Sequence, residues 1–295
     1  MKPNAQDVRQ SRELFAVLAQ FPEQMVISRT YSTLRYGMSG GNFYIPVMIN
    51  SQATRYMVDT GANFPVISAG EAKRRKLKIV KGGGRMGNSP LYSVQVGDVA
   101  MAEDLAVANV RIKNVSFLVM PDDRFVDIPS DQRGVLGLPV LLAFSSLRWS
   151  RDGTFEIALH ATGVKSGTPN VYFDGAMPVT RVAFGGRNLD FVLDTGAVNT
   201  DLYPQFAKEY PSLIKELGRP GTTHRAAVGG VFDVDSIFLP ELSFRIGGYG
   251  MTLRPAPVLQ KAAESEWYYG SLGMDLLSQG STVTIDFRTM LLAVN

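Results

Sequence analysis

Asp-Thr-Gly-Ala occurs twice, at Asp59–Ala62 and at Asp194–Ala197. Each copy closes an apolar, strand-like run, "RYMV" before Asp59 and "DFVL" before Asp194. A single Asp-x-Gly is ordinary turn chemistry. A carboxylate on such a turn in each half of one chain points instead to a site shared between two related lobes. Two carboxylates within hydrogen-bond reach cannot both ionise cheaply, so they share one proton. The ionised partner can take a proton from a bound water while the protonated one donates to a carbonyl oxygen. That chemistry needs no covalent intermediate and no metal.

The rest of the composition leaves carboxylates as the natural reactive groups. The chain has 295 residues and no cysteine, which removes disulfides, thiol catalysis and cysteine metal sites. His160 and His224 are the only histidines, too few for a multi-histidine zinc site. An apolar content of 45% suits a packed core, and a net charge of +3 makes no case for nucleic acid. The basic run Lys73-Arg74-Arg75-Lys76 reads as a solvated helix face. No stretch approaches the ~20 apolar residues of a membrane span. Leu14–Leu18 is too short and interrupted for a signal-peptide core.

The elements that must position the two aspartates repeat as well. Val47 lies 12 residues before Asp59, and Val182 lies 12 before Asp194. Turn residues follow in both copies, "NSQ" and "GGR", then an alternating strand into the motif. Downstream, "GVLGLPVLL" places Gly137 at 78 residues past the first Asp, and "GSLGMDLL" places Gly273 at 79 past the second. Thirteen residues further, each copy reaches a last strand region, at Ser150 and at Asp286. Four features in register over more than a hundred residues argue for a duplicated lobe rather than a solenoid. Short runs rich in Val, Ile, Phe and Tyr, bounded by Gly, Pro and Asn, make the fold all-β. The expected organisation is an N-terminal leader or arm over 1–40, a first lobe over 41–165 and a second over 166–295. The linker is expected in "HATGVKSGTPN", residues 160–170.

Helices are expected to be few and short. "QDVRQSRELFAVLAQF" in the leader carries Leu14, Val17 and Leu18 at helical spacing. Ser68 stands three residues before Glu71, the spacing of a capping box, so a short helix follows the first motif. "YPQFAKEYPSLIKELG" after the second motif reads as a helix, with Pro204 near its start and Gly218 as its stop.

The paired "DTGA", each with a later apolar-apolar-Gly segment, resembles the aspartic proteases over residues 43–295. Two lobes in one chain look like the pepsin arrangement, while "DTGA" and "GSLGMDLL…VTIDF" look like the retropepsin-like bacterial members. The resemblance implies an all-β, bilobal acid-protease fold of two pseudo-symmetric β-barrel lobes, with Asp59 and Asp194 catalytic at their junction. It implies an endopeptidase with a polypeptide substrate, apolar side chains around the cleaved bond, no cofactor and a monomeric state. Export or a periplasmic location follows from the bacterial relatives of this kind, although no signal peptide is visible.

Further roles follow from the same resemblance. The Thr60 and Thr195 hydroxyls would bond backbone across the lobe junction. Gly61 and Gly196 permit a tight turn with a backbone N–H facing the carboxylate. Gly137 and Gly273 would let a second strand pass close to each Asp loop. Such an enzyme needs a flap over the substrate, and glycine-assisted hairpin tips are expected at Val96-Gly97-Asp98 and Val228-Gly229-Gly230. "GGGRMG", Gly82–Gly87, is the alternative in the first lobe, and Tyr92 is a positional candidate for a flap tyrosine. Ala62 and Ala197 offer no hydroxyl to stabilise a charged carboxylate, so a less acidic pH range is expected. A catalytically silent peptide-binding or inhibitory protein on the same fold is the rival reading.

Other signals carry nothing functional. "GGGRMG" matches a dinucleotide glycine pattern, but "NSP" after it opposes the helix that pattern needs. Asp122-Asp123 lacks calcium-loop spacing. Trp149, Trp267, Tyr268 and Tyr269 read as core or lobe-interface packing.

Overall fold

A computed structural model describes residue 12 and residues 14–295 apart from 83–84, 90–91, 96, 126–127, 161–166, 228–229 and 262–266, with backbone alone for 85–95 and 226–232. The molecule is all-β and bilobal. A nine-stranded sheet forms the first lobe, a ten-stranded sheet the second, and a five-stranded sheet joins them.

The alternation that marked strands in the sequence is the alternation of burial. Along Asn42–Ile49, Phe43, Ile45, Val47 and Ile49 point into the core, while Pro46 and Met48 are exposed. This strand runs antiparallel to Gln52–Val58, which runs parallel to Gly134–Leu136 with Leu136 beside Val58. The second lobe repeats the unit. Met177–Phe184 runs antiparallel to Arg187–Leu193, which runs parallel to Gly270–Leu272 with Leu272 beside Leu193. Each aspartate therefore emerges from a strand held on both sides.

The joining sheet carries the pseudo-two-fold. Ser146–Ser150 pairs antiparallel with Thr282–Asp286, from Ser146 opposite Asp286 to Ser150 opposite Thr282. These are the two last strand regions that the repeat placed in register, so equivalent strands face each other at the centre of the molecule. Trp149 is buried there. Thr154–Ile157 and Leu291–Val294 flank the pair.

Residues 25–39 are not a separate leader. Met25–Ser28 pairs with Val110–Met120 at the edge of the first lobe, Ser32–Arg35 pairs with Thr154–Ile157 in the joining sheet, and Gly37–Ser39 pairs with Asn42–Ile49. Met25–Ser28 and Ser32–Arg35 are edge strands, and Met25, Val26 and Ile27 stay exposed there. Residues 14–18 are helical, and Leu14, Val17 and Phe21 pack on Val99, Met101 and Leu118. Most of the expected linker, 161–166, lies outside the described residues.

Four local expectations change. The helix after the second motif is two, Pro204–Glu209 and Pro211–Leu217. Proline 211 removes a donor and clashes with the preceding turn, so the first helix ends before it. Ser68 caps the helix Ala69–Arg74 by accepting from Glu71 N at 3.1 Å. Glu71 itself does not close the box; it is buried, bound by Arg75 Nε at 2.8 Å and facing Tyr56 Oη at 3.2 Å. Arg75 is thereby taken out of the basic surface run, with 5% of its surface exposed. Trp267 is exposed rather than packed, whereas Tyr268 is buried.

Candidate active site

Both Asp-Thr-Gly-Ala turns are tied down in the same way. Asp59 N donates to Leu136 O and Asp194 N to Leu272 O, each at 3.1 Å. Ala62 O accepts from Leu138 N at 2.9 Å and Ala197 O from Met274 N at 2.8 Å. Gly137 and Gly273 stand between those anchors as the N-caps of Leu138–Phe144 and Met274–Leu277. A side chain at Gly137 would come within 2.5 Å of the Phe64 backbone, and one at Gly273 within 2.6 Å of the Asn199 backbone. Both glycines lie against the aspartate loops.

The carboxylates are fixed by their own turns. Asp59 Oδ1 accepts from Gly61 N at 2.8 Å and from Ala62 N at 3.0 Å. Asp194 Oδ1 accepts from Gly196 N at 2.9 Å and from Ala197 N at 3.0 Å. The two turns meet face to face. A Cβ on Gly61 would lie 2.5 Å from Asp194 Cγ, and one on Gly196 would lie 2.3 Å from Asp59 Cγ. Only glycine lets each loop approach the other lobe's carboxylate this closely.

Beneath them the two threonines cross. Thr60 Oγ1 donates to Leu193 O at 2.7 Å and accepts from Thr195 N at 3.0 Å. Thr195 Oγ1 donates to Val58 O at 3.1 Å and accepts from Thr60 N at 3.0 Å. Both side chains are fully buried. Each hydroxyl thus satisfies a carbonyl and an N–H of the opposite lobe, locking the pair of turns together.

Burial raises both aspartates above the ordinary carboxylate range. For Asp59 the like charge and shared hydrogen bond of Asp194 add to this, and the Gly61 and Ala62 N–H donors oppose it. For Asp194 the Gly196 and Ala197 donors and the Asp59 hydrogen bond oppose the rise, while Asp201 adds like charge. The two titrate as one unit, so the shared proton belongs to the pair. Among the described residues no group of three or more His, Cys, Asp or Glu side chains could hold a metal ion.

The hairpins differ in their match to expectation. In the first lobe Arg85–Ser89 pairs with Tyr92–Gln95, with Ser89 opposite Tyr92. Residues 90–91, between these strands in sequence, lie outside the described residues. Gly97 and Asp98 lie at the foot of the hairpin, where Asp98 pairs with Lys81, and Val96 lies outside the described residues. A glycine does mark a break there, but between two strands of the hairpin stem rather than at its turn. Within "GGGRMG", Gly82 precedes the hairpin and Arg85–Gly87 belong to its first strand. In the second lobe Arg219–Ala227 pairs with Gly230–Leu239, Ala227 opposite Gly230. Val228 and Gly229, between these strands in sequence, lie outside the described residues.

Several residues at the junction were not anticipated. Asn42 Nδ2 donates to Gly196 O at 2.6 Å, tying a first-lobe strand to the second Asp loop. Thr200 donates to Asp275 Oδ1 through its N at 2.9 Å and its hydroxyl at 2.6 Å, and accepts from Gly273 N at 2.9 Å. Asp201, next in the chain, pairs with Arg225 on the second hairpin. Aligning "DTGANFPVI" with "DTGAVNTDL" would have exposed Thr200 and Asp201 as polar where the first lobe has Pro65 and Val66.

Two β lobes that each contribute an aspartate turn to a shared junction define the acid-protease class. The family described as "Aspartyl protease" matches residues 45–140, within the first lobe. Residues 45–140 are similar to that family, and the chain carries a second lobe of the same construction beside them. Among solved structures, basic 7S globulin from soybean is similar over 91% of this chain and 95% of its own, with a TM-score of 0.51 and 10% identity. A retropepsin-like aspartic protease from Rickettsia conorii is 18% identical, covering 44% of this chain and 92% of its own, with a TM-score of 0.29. Comparison with curated proteins found no match.

Proposed function

We infer that the protein is an endopeptidase that hydrolyses peptide bonds with a water held between Asp59 and Asp194. The observation that carries this reading is the pair of facing carboxylates, each raised by burial and each fixed through one oxygen by its own backbone N–H groups. Fixing Oδ1 on both sides leaves the remaining oxygens to hold the shared proton and the water. The ionised member accepts a proton as the water attacks the scissile carbonyl carbon. The protonated member donates to the carbonyl oxygen. Neither an acyl-enzyme nor a resident metal is part of this scheme. The hairpins Arg85–Gln95 and Arg219–Leu239 are suited to closing over a bound peptide and excluding water.

The test is cleavage of an unfolded protein by the unsubstituted chain, with and without pepstatin, beside Asp59→Asn and Asp194→Asn. Loss of cleavage in both variants is expected. Equal cleavage by all three proteins would end the reading. Peptide binding without cleavage by the unsubstituted chain would favour the silent, peptide-binding rival.

A further inference from the structure

The duplicated lobes are nearly equivalent at the aspartates but not on the walls beside them. Val66 and Asp201 occupy the same place, each seven residues after its catalytic-turn Asp. Val135 and Ser271 do too, each two residues before the glycine that backs the turn. The pairing is the same in both lobes, with Val135 opposite Val66 and Ser271 opposite Asp201. In the first lobe these positions join Tyr44, Met57 and Ala62 in an apolar cluster next to the Asp59 turn. In the second lobe the corresponding positions carry an ionic group.

Asp201 accepts from Arg225 Nε at 2.8 Å and from Nη2 of the same guanidinium. Arg225 lies on Arg219–Ala227, so the pair ties the hairpin stem to the floor beside Asp194. The side chains are only 13% and 17% exposed. A buried ion pair does not stabilise a fold better than well-packed apolar side chains, and the first lobe shows an apolar solution at Val66 and Val135. Folding alone therefore gives no reason for the pair. Its electrostatic balance is acidic. Asp194, Asp201 and Asp275 stand near one another, the middle one feeling like charge from Asp275, against the single guanidinium of Arg225. Arg225 spends a further donor on the His224 carbonyl at 3.2 Å. Each Asp201 oxygen, by contrast, takes one bond from Arg225 and keeps a second lone pair.

We propose that the cleft is chemically two-sided: it takes an apolar substrate side chain beside the first lobe and a basic one, lysine or arginine, beside the second, with Asp201 as the specificity determinant. This rests on the junction being a peptide cleft. A long basic side chain suits such a wall because its stem is apolar and only its end needs the carboxylate. A charged end also competes for Asp201 without leaving Arg225 unpaired, since both cations can share the two oxygens.

The experiment reads binding, which needs no turnover. A randomised peptide library is incubated with the Asp59→Asn protein, and retained peptides are identified by mass spectrometry. The same selection is run on Asp59→Asn carrying Asp201→Val and Arg225→Met together, which leaves the net charge unchanged and mimics the first lobe. The expected result is enrichment of peptides with Lys or Arg at one fixed distance from an apolar residue, and a fall of about tenfold or more in that enrichment in the paired variant. Arg225→Lys with Asp201 intact should keep the preference. Apolar residues enriched on both sides, an unchanged profile in the paired variant, or no enrichment at all would each overturn the proposal. Cleavage by the unsubstituted chain, assayed separately, reports on the protease reading itself.

Discussion

Replacing Thr60 by valine removes a hydroxyl and keeps the side-chain volume, so no cavity term enters. Two buried backbone groups of the other lobe lose their partner, Leu193 O at 2.7 Å and Thr195 N at 3.0 Å. Leaving a buried polar group unpaired costs about 1–3 kcal/mol, so Thr60→Val should lower stability by roughly 2–6 kcal/mol. Thr195→Val should cost the same, because it orphans Val58 O and Thr60 N. The two hydroxyls belong to one crossed network, so the double variant reports their coupling rather than a simple sum. Against a typical stability of about 5–15 kcal/mol, the double variant should lose most of its stability. Thr60→Ser keeps the hydroxyl and should cost only ~1 kcal/mol for the lost methyl. The assay is urea unfolding followed by fluorescence, with the midpoint shift converted at constant slope. A Thr60→Val loss below ~1 kcal/mol, or a serine variant as unstable as the valine one, would show that the crossed threonines do not hold the lobes together.

The raised dyad gives a stability test with a definite sign. Unfolded aspartates titrate near ~4, whereas the folded pair holds its proton to higher pH. Between those values the folded state binds more protons than the unfolded chain, so stability falls as pH rises through that window. Asp59→Asn removes the like-charge cost. Its Tm should exceed that of the unsubstituted chain at pH ~8 and converge with it at pH ~4; an equal gap at both would contradict the account. Ala62→Ser offers a hydroxyl to the ionised carboxylate and should move the upper limb of the pH–rate profile to lower pH by about 0.5 unit, ~0.7 kcal/mol. Gly61→Ala places a methyl 2.5 Å from Asp194 Cγ; it should reduce kcat/KM by about 100-fold while the far-UV spectrum is unchanged. Arg75→Met leaves the buried Glu71 carboxylate with only the longer Arg74 contact and the Tyr56 hydroxyl, and should cost about 3 kcal/mol in thermal unfolding.

What was legible in the chain was whatever the duplication wrote twice. The approach from Val47 and Val182, the aspartate turns, and the return at Gly137 and Gly273 depend on local spacing, and the structure brings each set together. Pairing of Ser146–Ser150 with Thr282–Asp286 across the pseudo-two-fold was implicit in the same register. Features written once were harder to see. Glu71 sits at a capping position, and Tyr56 on a neighbouring strand turns it inward beside Arg75 of its own helix end. Strands 25–28 and 32–35 lie at sheet edges, and Met25, Val26 and Ile27 are apolar yet exposed, so their residue types do not report burial. In the first lobe Ser89 already faces Tyr92, so glycine at 97 marked a strand break further along and not the tip. Arg225 and Asp201 are 24 residues apart in sequence, and nothing local couples a hairpin strand to the loop it covers.

The pattern of conserved and relaxed symmetry within the one chain bears on how the site works. Wherever two groups must be equivalent to share a proton, the lobes match: the N–H donors to Oδ1 agree within 0.1 Å, and each threonine mirrors the other. A dyad built from unequal turns would have its proton pinned to one carboxylate. Beside the dyad no such constraint acts, and there the lobes diverge, Val66 against Asp201 and Val135 against Ser271. The long first-lobe hairpin Asp98–Met120 has a broken counterpart in the second, where Pro240 and Pro255 fall between Gly230–Leu239, Leu242–Ile246, Tyr249–Leu253 and Ala256–Leu259. Proline removes a ladder donor, so the longer strands cannot continue through those points. A dimer of identical lobes must present the same wall on both sides of its junction. Fusing the lobes lets one chain keep the symmetric pair while the walls and hairpins vary independently. An asymmetric ligand can then be bound in one direction, as the proposed peptide cleavage requires.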